Sequence, residues 1–238
     1  MDFAALQQEL APSFGPKQVH SHGNRWDPYQ DNGGTSLAIA GEDYVIVASD
    51  TRQSNGYSIN SRYDPKAYKL SNSSVLATAG FAADAKRLVE ILEQNAQTYF
   101  HKHQRPMATP AMAQMLSNTL YGRRFFPYYV FPILAGLDKD GKGSLFVYDP
   151  VGNMERVAYQ AYGSASALVQ PFLDNTVGFK NQRGADPNRM LAQDEAKRIV
   201  IDAFTGATER DIHTGDWLDI YIIDRNGIHY EKRELKHD

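Results

Sequence analysis

Gly33-Gly34-Thr35-Ser36-Leu37-Ala38-Ile39-Ala40-Gly41-Glu42-Asp43-Tyr44-Val45-Ile46-Val47-Ala48-Ser49-Asp50 is the stretch that decides the fold. Two apolar runs, 35–40 and 44–49, flank the turn Gly41-Glu42-Asp43, so the segment reads as a β-hairpin. Both runs are apolar almost throughout rather than alternating, which predicts a sheet covered on both faces. A third strand is expected at 74–79, ending at Gly80.

Downstream the period changes. Ala85, Leu88, Val89, Leu92, Ala96 and Tyr99 share one face of a helix expected over 83–102. Met112, Met115, Leu116 and Leu120 do the same over about 110–123. Strands are expected at 128–136, 144–148 and 155–160, with turns at Asp138–Gly143 and Asp149-Pro150-Val151-Gly152. Helices follow near 165–174 and 192–208, then strands at 217–224 and 228–235 around Asp224-Arg225-Asn226-Gly227. Strands, two helices, strands, two helices, strands is the order of an α+β sandwich of four layers, with antiparallel hairpins between helical layers. The polar stretch 177–191 reads as an exposed loop, and residues 1–24 as an extension ahead of one domain spanning 25–238.

The bulk numbers agree with one large globular domain: 238 residues, 42% hydrophobic and 22% charged. A net charge of −3 gives no reason to expect nucleic acid or an anionic membrane as partner. The absence of cysteine excludes disulfides and thiol catalysis. No apolar run reaches transmembrane length and no basic region precedes an apolar core at the N-terminus, so the expectation is an intracellular protein.

Several strings carry a specific resemblance: Asp31-Asn32-Gly33-Gly34-Thr35, Ala40-Gly41-Glu42-Asp43, Arg123-Arg124-Phe125-Phe126-Pro127-Tyr128-Tyr129-Val130, Gly136-Leu137-Asp138, Asp149-Pro150-Val151-Gly152, Pro171-Phe172-Leu173-Asp174-Asn175 and Val177-Gly178-Phe179-Lys180-Asn181. In this order they resemble the beta-type subunits of the 20S proteasome, a threonine-peptidase family, and within it the beta-6 position (beta type-1). The resemblance implies the N-terminal nucleophile hydrolase form of the four-layer αββα sandwich. In active members a threonine freed by cleavage after glycine supplies a hydroxyl nucleophile, with its own α-amine as base. A lysine lowers the pKa of these groups by its charge, and an aspartate holds the lysine.

The family places that aspartate sixteen residues after the nucleophile and the lysine thirty-two after. Counting back from Asp50 and from Lys66 gives position 34 both times, and position 34 is glycine. Gly80 falls where the family has a glycine whose N–H serves the oxyanion. Ser164, Asp211 and Thr214 fall on its supporting Ser, Asp and Ser, with Thr214 a departure. The resemblance therefore implies a non-catalytic subunit in which Asp50, Lys66 and Asp211 are kept as a structural framework. The alternative, an active peptidase using Thr35, requires a one-residue shift that turns the side chain to the other face of the sheet.

The same resemblance implies alpha and beta subunits as partners, with beta-5 and beta-7 as neighbours and assembly chaperones during maturation, in cytoplasm and nucleus. It also implies trimming of the extension near His22–Arg25, and a wall of the adjacent beta-5 substrate pocket formed by Asp149 and Pro150. No cofactor is expected. Some beta subunits hold a magnesium or similar ion on backbone carbonyls at the places of Thr208, Asp211 and Thr214, and an ordinary hydrated turn is the competing reading. His20-x-His22 and His101-x-His103 have no third ligand nearby in sequence and read as solvated. Arg123-Arg124 before an aromatic run reads as core or subunit interface, not a stacking platform for nucleic acid.

Overall fold

The structure, a computed structural model, describes residues 27–184, 186 and 189–238. Strands β1 (Thr35–Ala40) and β2 (Val45–Asp50) form the expected hairpin, with Ser36 opposite Ser49 and Ala40 opposite Val45. Both are buried along nearly their whole length. They lie inside a five-stranded antiparallel sheet of order β10-β1-β2-β11-β12, where β10 is Tyr159–Gly163, β11 Trp217–Asp224 and β12 Gly227–Glu234. A second antiparallel sheet runs β5 (Ala67–Lys69), β6 (Ser74–Ala77), β7 (Ile133–Leu137), β8 (Gly143–Tyr148) and β9 (Met154–Val157). A small hairpin, β3 (Gln53–Asn55) and β4 (Ser58–Ser61), stands apart.

Helices α1 (Ala82–His103) and α2 (Thr109–Tyr121) cover one sheet, and α3 (Ser166–Thr176) and α4 (Gln193–Thr208) cover the other. Alternation along the strands builds three cores from one chain. Leu37, Ile39, Ile46 and Ala48 pack under α3 and α4, and Leu76, Leu134 and Phe146 under α1 and α2. Ala38, Val45, Val47, Val75, Ile133 and Leu145 fill the space between the sheets. The result is the four-layer αββα sandwich.

Four expectations need correction. The strand expected at 128–136 is regular only over Ile133–Leu137, because Pro132 has no N–H to give to a ladder. Upstream of it, Val130 makes an isolated bridge to Gly80. The strand expected at 155–160 is two strands that change sheets at Ala158, whose carbonyl takes the Ala40 N–H at 2.7 Å. Strand β6 stops at Ala77, short of Gly80. Strands β3, β4 and β5 are additional to the expected elements. The remaining elements differ by a residue or two at their ends. Among the described residues no helix is long and apolar enough to cross a membrane.

Candidate functional site

The open end of the β1–β2 hairpin brings Gly34, Asp50 and Lys66 together. Gly34 has φ +82°, a conformation that glycine adopts without a Cβ penalty. A Cβ placed there would press on Lys66 Cε, 2.6 Å from Lys66 Nζ and 2.8 Å from Asp50 Oδ1. Lys66 Nζ donates to the Arg52 carbonyl at 2.6 Å, Asp50 Oδ1 at 3.1 Å and the Asp50 carbonyl at 3.2 Å. These three acceptors use all three ammonium protons. Asp50 in turn accepts the Thr35 N–H (2.8 Å) on Oδ1 and the Gly215 N–H (3.1 Å) on Oδ2. Burial holds the Asp50 carboxyl above its ordinary value, and the Lys66 charge and the two backbone N–H groups offset this only in part. Both side chains are buried with every polar atom hydrogen-bonded, and no hydroxyl stands at position 34 for the lysine to activate.

Ser164, Asp211 and Thr214 form a second cluster joined to the first. The hydroxyls of Ser164 and Thr214 each donate to Asp211 Oδ2 at 2.6 Å, and the His213 N–H donates to Oδ1 at 3.1 Å. The Ser164 N–H donates to the Gly34 carbonyl at 3.0 Å, and the Ser164 hydroxyl oxygen lies 3.3 Å from the same carbonyl. Gly163 (φ +105°) packs its backbone against that same carbonyl.

Gly80 (φ +109°) and Lys66 line a cavity of about 20 Å³, room for one water, together with Asn32, Gly33 and Thr78. The Gly80 carbonyl accepts the Asn32 N–H at 3.2 Å. A Cβ at Gly80 would lie 2.6 Å from the Tyr129 carbonyl oxygen.

Thr35 faces the other way. Its hydroxyl lies 2.8 Å from Thr214 Oγ1 and accepts the Ala165 N–H at 3.0 Å, at the start of α3. Its side chain is fully buried. The one-residue step along the strand separates this hydroxyl from the lysine, as the pleat requires.

Some residues of the site carried no sequence signal. Arg52 Nε pairs with Asp216 Oδ2 at 2.7 Å, and the two are 164 residues apart in sequence. Asp216 (φ +71°) also takes Arg62 at 2.6 Å and His237 at 3.1 Å. Burial alone would raise its carboxyl, but these hydrogen bonds hold it below the ordinary range. Asp216 thereby fixes the loop whose Gly215 N–H serves Asp50. Asn32 ties the segment before Gly34 in place, donating to the Ser54 carbonyl (3.3 Å) and accepting the Ala82 N–H (2.9 Å). Asn-Gly-Gly in the sequence indicates a turn but not these distant partners.

The remaining candidates fall elsewhere. Thr208 closes α4, where the carbonyls of Gly206 and Ala207 take local N–H groups, and the Asp211 carbonyl takes the Thr214 N–H at 3.3 Å. With the Asp211 carboxylate engaged by hydroxyls, a hard cation here would have to use backbone carbonyls, of which that of Asp211 already accepts the Thr214 N–H. His103 packs against Tyr99 with the rings tilted (4.3 Å between ring centres) and His101 lies edge-on to Phe100. Among the described residues no group of three or more His, Cys, Asp or Glu is arranged to hold a metal. His20, His22 and the expected cut near His22–Arg25 lie outside the described residues.

The Arg123–Tyr129 run divides between core and surface. Arg123 sits over the buried Tyr128 at 4.9 Å, whereas Phe125 is 92% exposed. Asp149 and Pro150 form the β8–β9 turn, and Asp149 Oδ1 accepts the N–H groups of Val151 (3.0 Å) and Asn153 (2.8 Å).

Residues 30–223 match the proteasome subunit family. Proteasome subunit beta type-1 of Danio rerio is 48% identical over 225 residues, covering 93% of this chain and 94% of the relative. Proteasome subunit beta type-1 of Arabidopsis thaliana is 50% identical over 220 residues, covering 91% and 98%. Proteasome subunit beta type-6 of Saccharomyces cerevisiae is 44% identical over 223 residues, covering 90% and 92%.

Proposed function

The chain belongs to the proteasome subunit family, and we propose that it is a non-catalytic subunit of the beta ring of a 20S core. The observation that carries this reading is Gly34. It stands where Asp50 and Lys66 converge, it has no hydroxyl, and Lys66 fills the space beside it. The buried charges then act as a pin between strands: removing either partner would leave the other uncompensated. Thr35 offers a hydroxyl, but its burial against Thr214 and Ala165 opposes the alternative of an active peptidase.

In this reading the subunit takes the beta-6 position, beside beta-5 and beta-7 and against an alpha ring, after assembly chaperones have guided it there. Its contribution to ATP- and ubiquitin-dependent protein degradation in cytoplasm and nucleus is architectural. The Asp149–Pro150 turn contributes a wall to the beta-5 substrate pocket, where a carboxylate favours polar or basic side chains. A magnesium ion at the α4 end, held by the carbonyls of Thr208, Asp211 and Thr214, would be structural. Treating assembled particles with a threonine-directed covalent inhibitor and mapping the adducts by mass spectrometry tests the reading. Labelled catalytic subunits with this chain unlabelled is the expected result.

A further inference from the structure

The turn that carries Asp149 is built by one set of bonds and placed by another. Its internal shape comes from Asp149 itself, whose Oδ1 takes the Val151 and Asn153 N–H groups. The Asp149 N–H donates to the Asn153 carbonyl and the Gly152 N–H to the Asp149 carbonyl, both at 3.2 Å. Pro150 fixes its own φ. The carboxylate's other oxygen, Oδ2, takes no part in these bonds.

Placement comes from α2. Ser117 Oγ donates to the Gly152 carbonyl at 2.7 Å. Gly152 has φ +92°, and a Cβ there would lie 2.5 Å from the Ser117 carbonyl oxygen and 3.1 Å from Tyr121 N. The turn therefore lies backbone to backbone on the helix, and only glycine permits that approach. One turn earlier on α2, the Ala113 carbonyl accepts the hydroxyl of Tyr148, the last residue of β8, at 2.9 Å. Ser117 and Ala113 are four apart, so one face of α2 holds both the strand end and the turn.

We propose that Ser117 is a positioning residue: through the Gly152 carbonyl it sets where Asp149 is presented to the adjacent subunit's substrate. This rests on the reading of Asp149 given above. Without the hydroxyl the turn keeps its internal shape, because Asp149 and Pro150 are untouched, but its seat on the helix loosens.

The test uses assembled 20S particles carrying Ser117→Ala, Ser117→Thr, Asp149→Asn, or Ser117→Ala with Asp149→Asn. Asn at 149 keeps an oxygen acceptor for the turn and removes only the charge. The readout is the ratio of kcat/KM at the chymotrypsin-like site for peptides with a basic or an apolar residue third before the scissile bond. Asp149→Asn is expected to lower the ratio. Ser117→Ala is expected to lower it in the same direction by about threefold, the scale of one hydrogen bond's net contribution. Thr at 117 should restore it, and Ala at 117 should add nothing once the charge at 149 is gone.

A ratio that moves with Asp149→Asn but not with Ser117→Ala overturns the positioning role and leaves the Asp149 reading intact. A Ser117→Ala effect that persists in the Asp149→Asn background, or that scales both peptides equally, also overturns it. If Asp149→Asn leaves the ratio unchanged, the reading of Asp149 falls and this proposal falls with it.

Discussion

Lys66 occupies the space that a side chain at position 34 would take. Its Nζ would lie 2.6 Å from a Cβ on Gly34. The glycine also holds φ +82°, so two independent features bar a larger residue. Gly34→Ala is therefore expected to destabilise the chain by about 1–3 kcal/mol through backbone strain, besides forcing Lys66 aside. Thermal melts of the purified chain check this. An unchanged Tm would mean that backbone and lysine adapt freely.

Removing the lysine should cost more. Lys66→Ala leaves Asp50 buried without its ammonium, and breaking such a pair costs about 3–5 kcal/mol. Asp50→Asn in the same chain should recover part of the loss, since no unpaired charge then remains. A double variant no more stable than Lys66→Ala would show that the pin works through packing and not charge.

Asp216 and Asp219 should shift stability with pH in opposite senses. The Asp216 carboxyl is held below its ordinary value of 3.8, chiefly by Arg52 and Arg62 acting against burial. Its contribution is present above 3.8 and is lost as pH falls through the lower folded value. Asp219 is raised above 3.8 by burial between the sheets, and only its Oδ1 has a partner, the Tyr230 hydroxyl. Its contribution is present below 3.8 and is lost as pH rises through the higher folded value. Asp219→Asn should thus flatten the fall in stability above that range, and Asp216→Asn the fall below it. Denaturation midpoints across pH measure both. Parallel curves for either variant and the parent chain would contradict the assignment for that residue.

The extension should be removed by another subunit, because self-cleavage needs the hydroxyl that position 34 lacks. The cut should also leave Asn32 and Gly33 attached, since Asn32 is bonded to Ser54, Gly80 and Ala82. N-terminal sequencing of the chain from mature particles is expected to start upstream of Tyr29. Normal trimming in particles whose other beta subunits are all inactive would refute cleavage in trans.

What the sequence made legible follows from where the physical signal lies. The β1–β2 hairpin and the faces of α1, α2 and α4 were readable because burial writes a period into the residues. Gly34, Asp50 and Lys66 lie within one stretch of chain, and the structure brings them into contact. Strands β3 and β4 are polar and partly exposed, so they carry no apolar pattern. The change of sheet at Ala158 depends on Ala40, more than a hundred residues away, and leaves no local mark. Arg52 with Asp216 and Ser117 with Gly152 are pairs that only the folded chain reveals.

The central claim is that position 34 leaves this chain without a nucleophile. Peptide mapping of assembled particles after saturation with a threonine-directed covalent inhibitor addresses it most directly. The account predicts adducts on the catalytic subunits and, on this chain, an unmodified peptide running unbroken through Gly33-Gly34-Thr35. A chain that begins at Thr35 and carries the inhibitor there would contradict it.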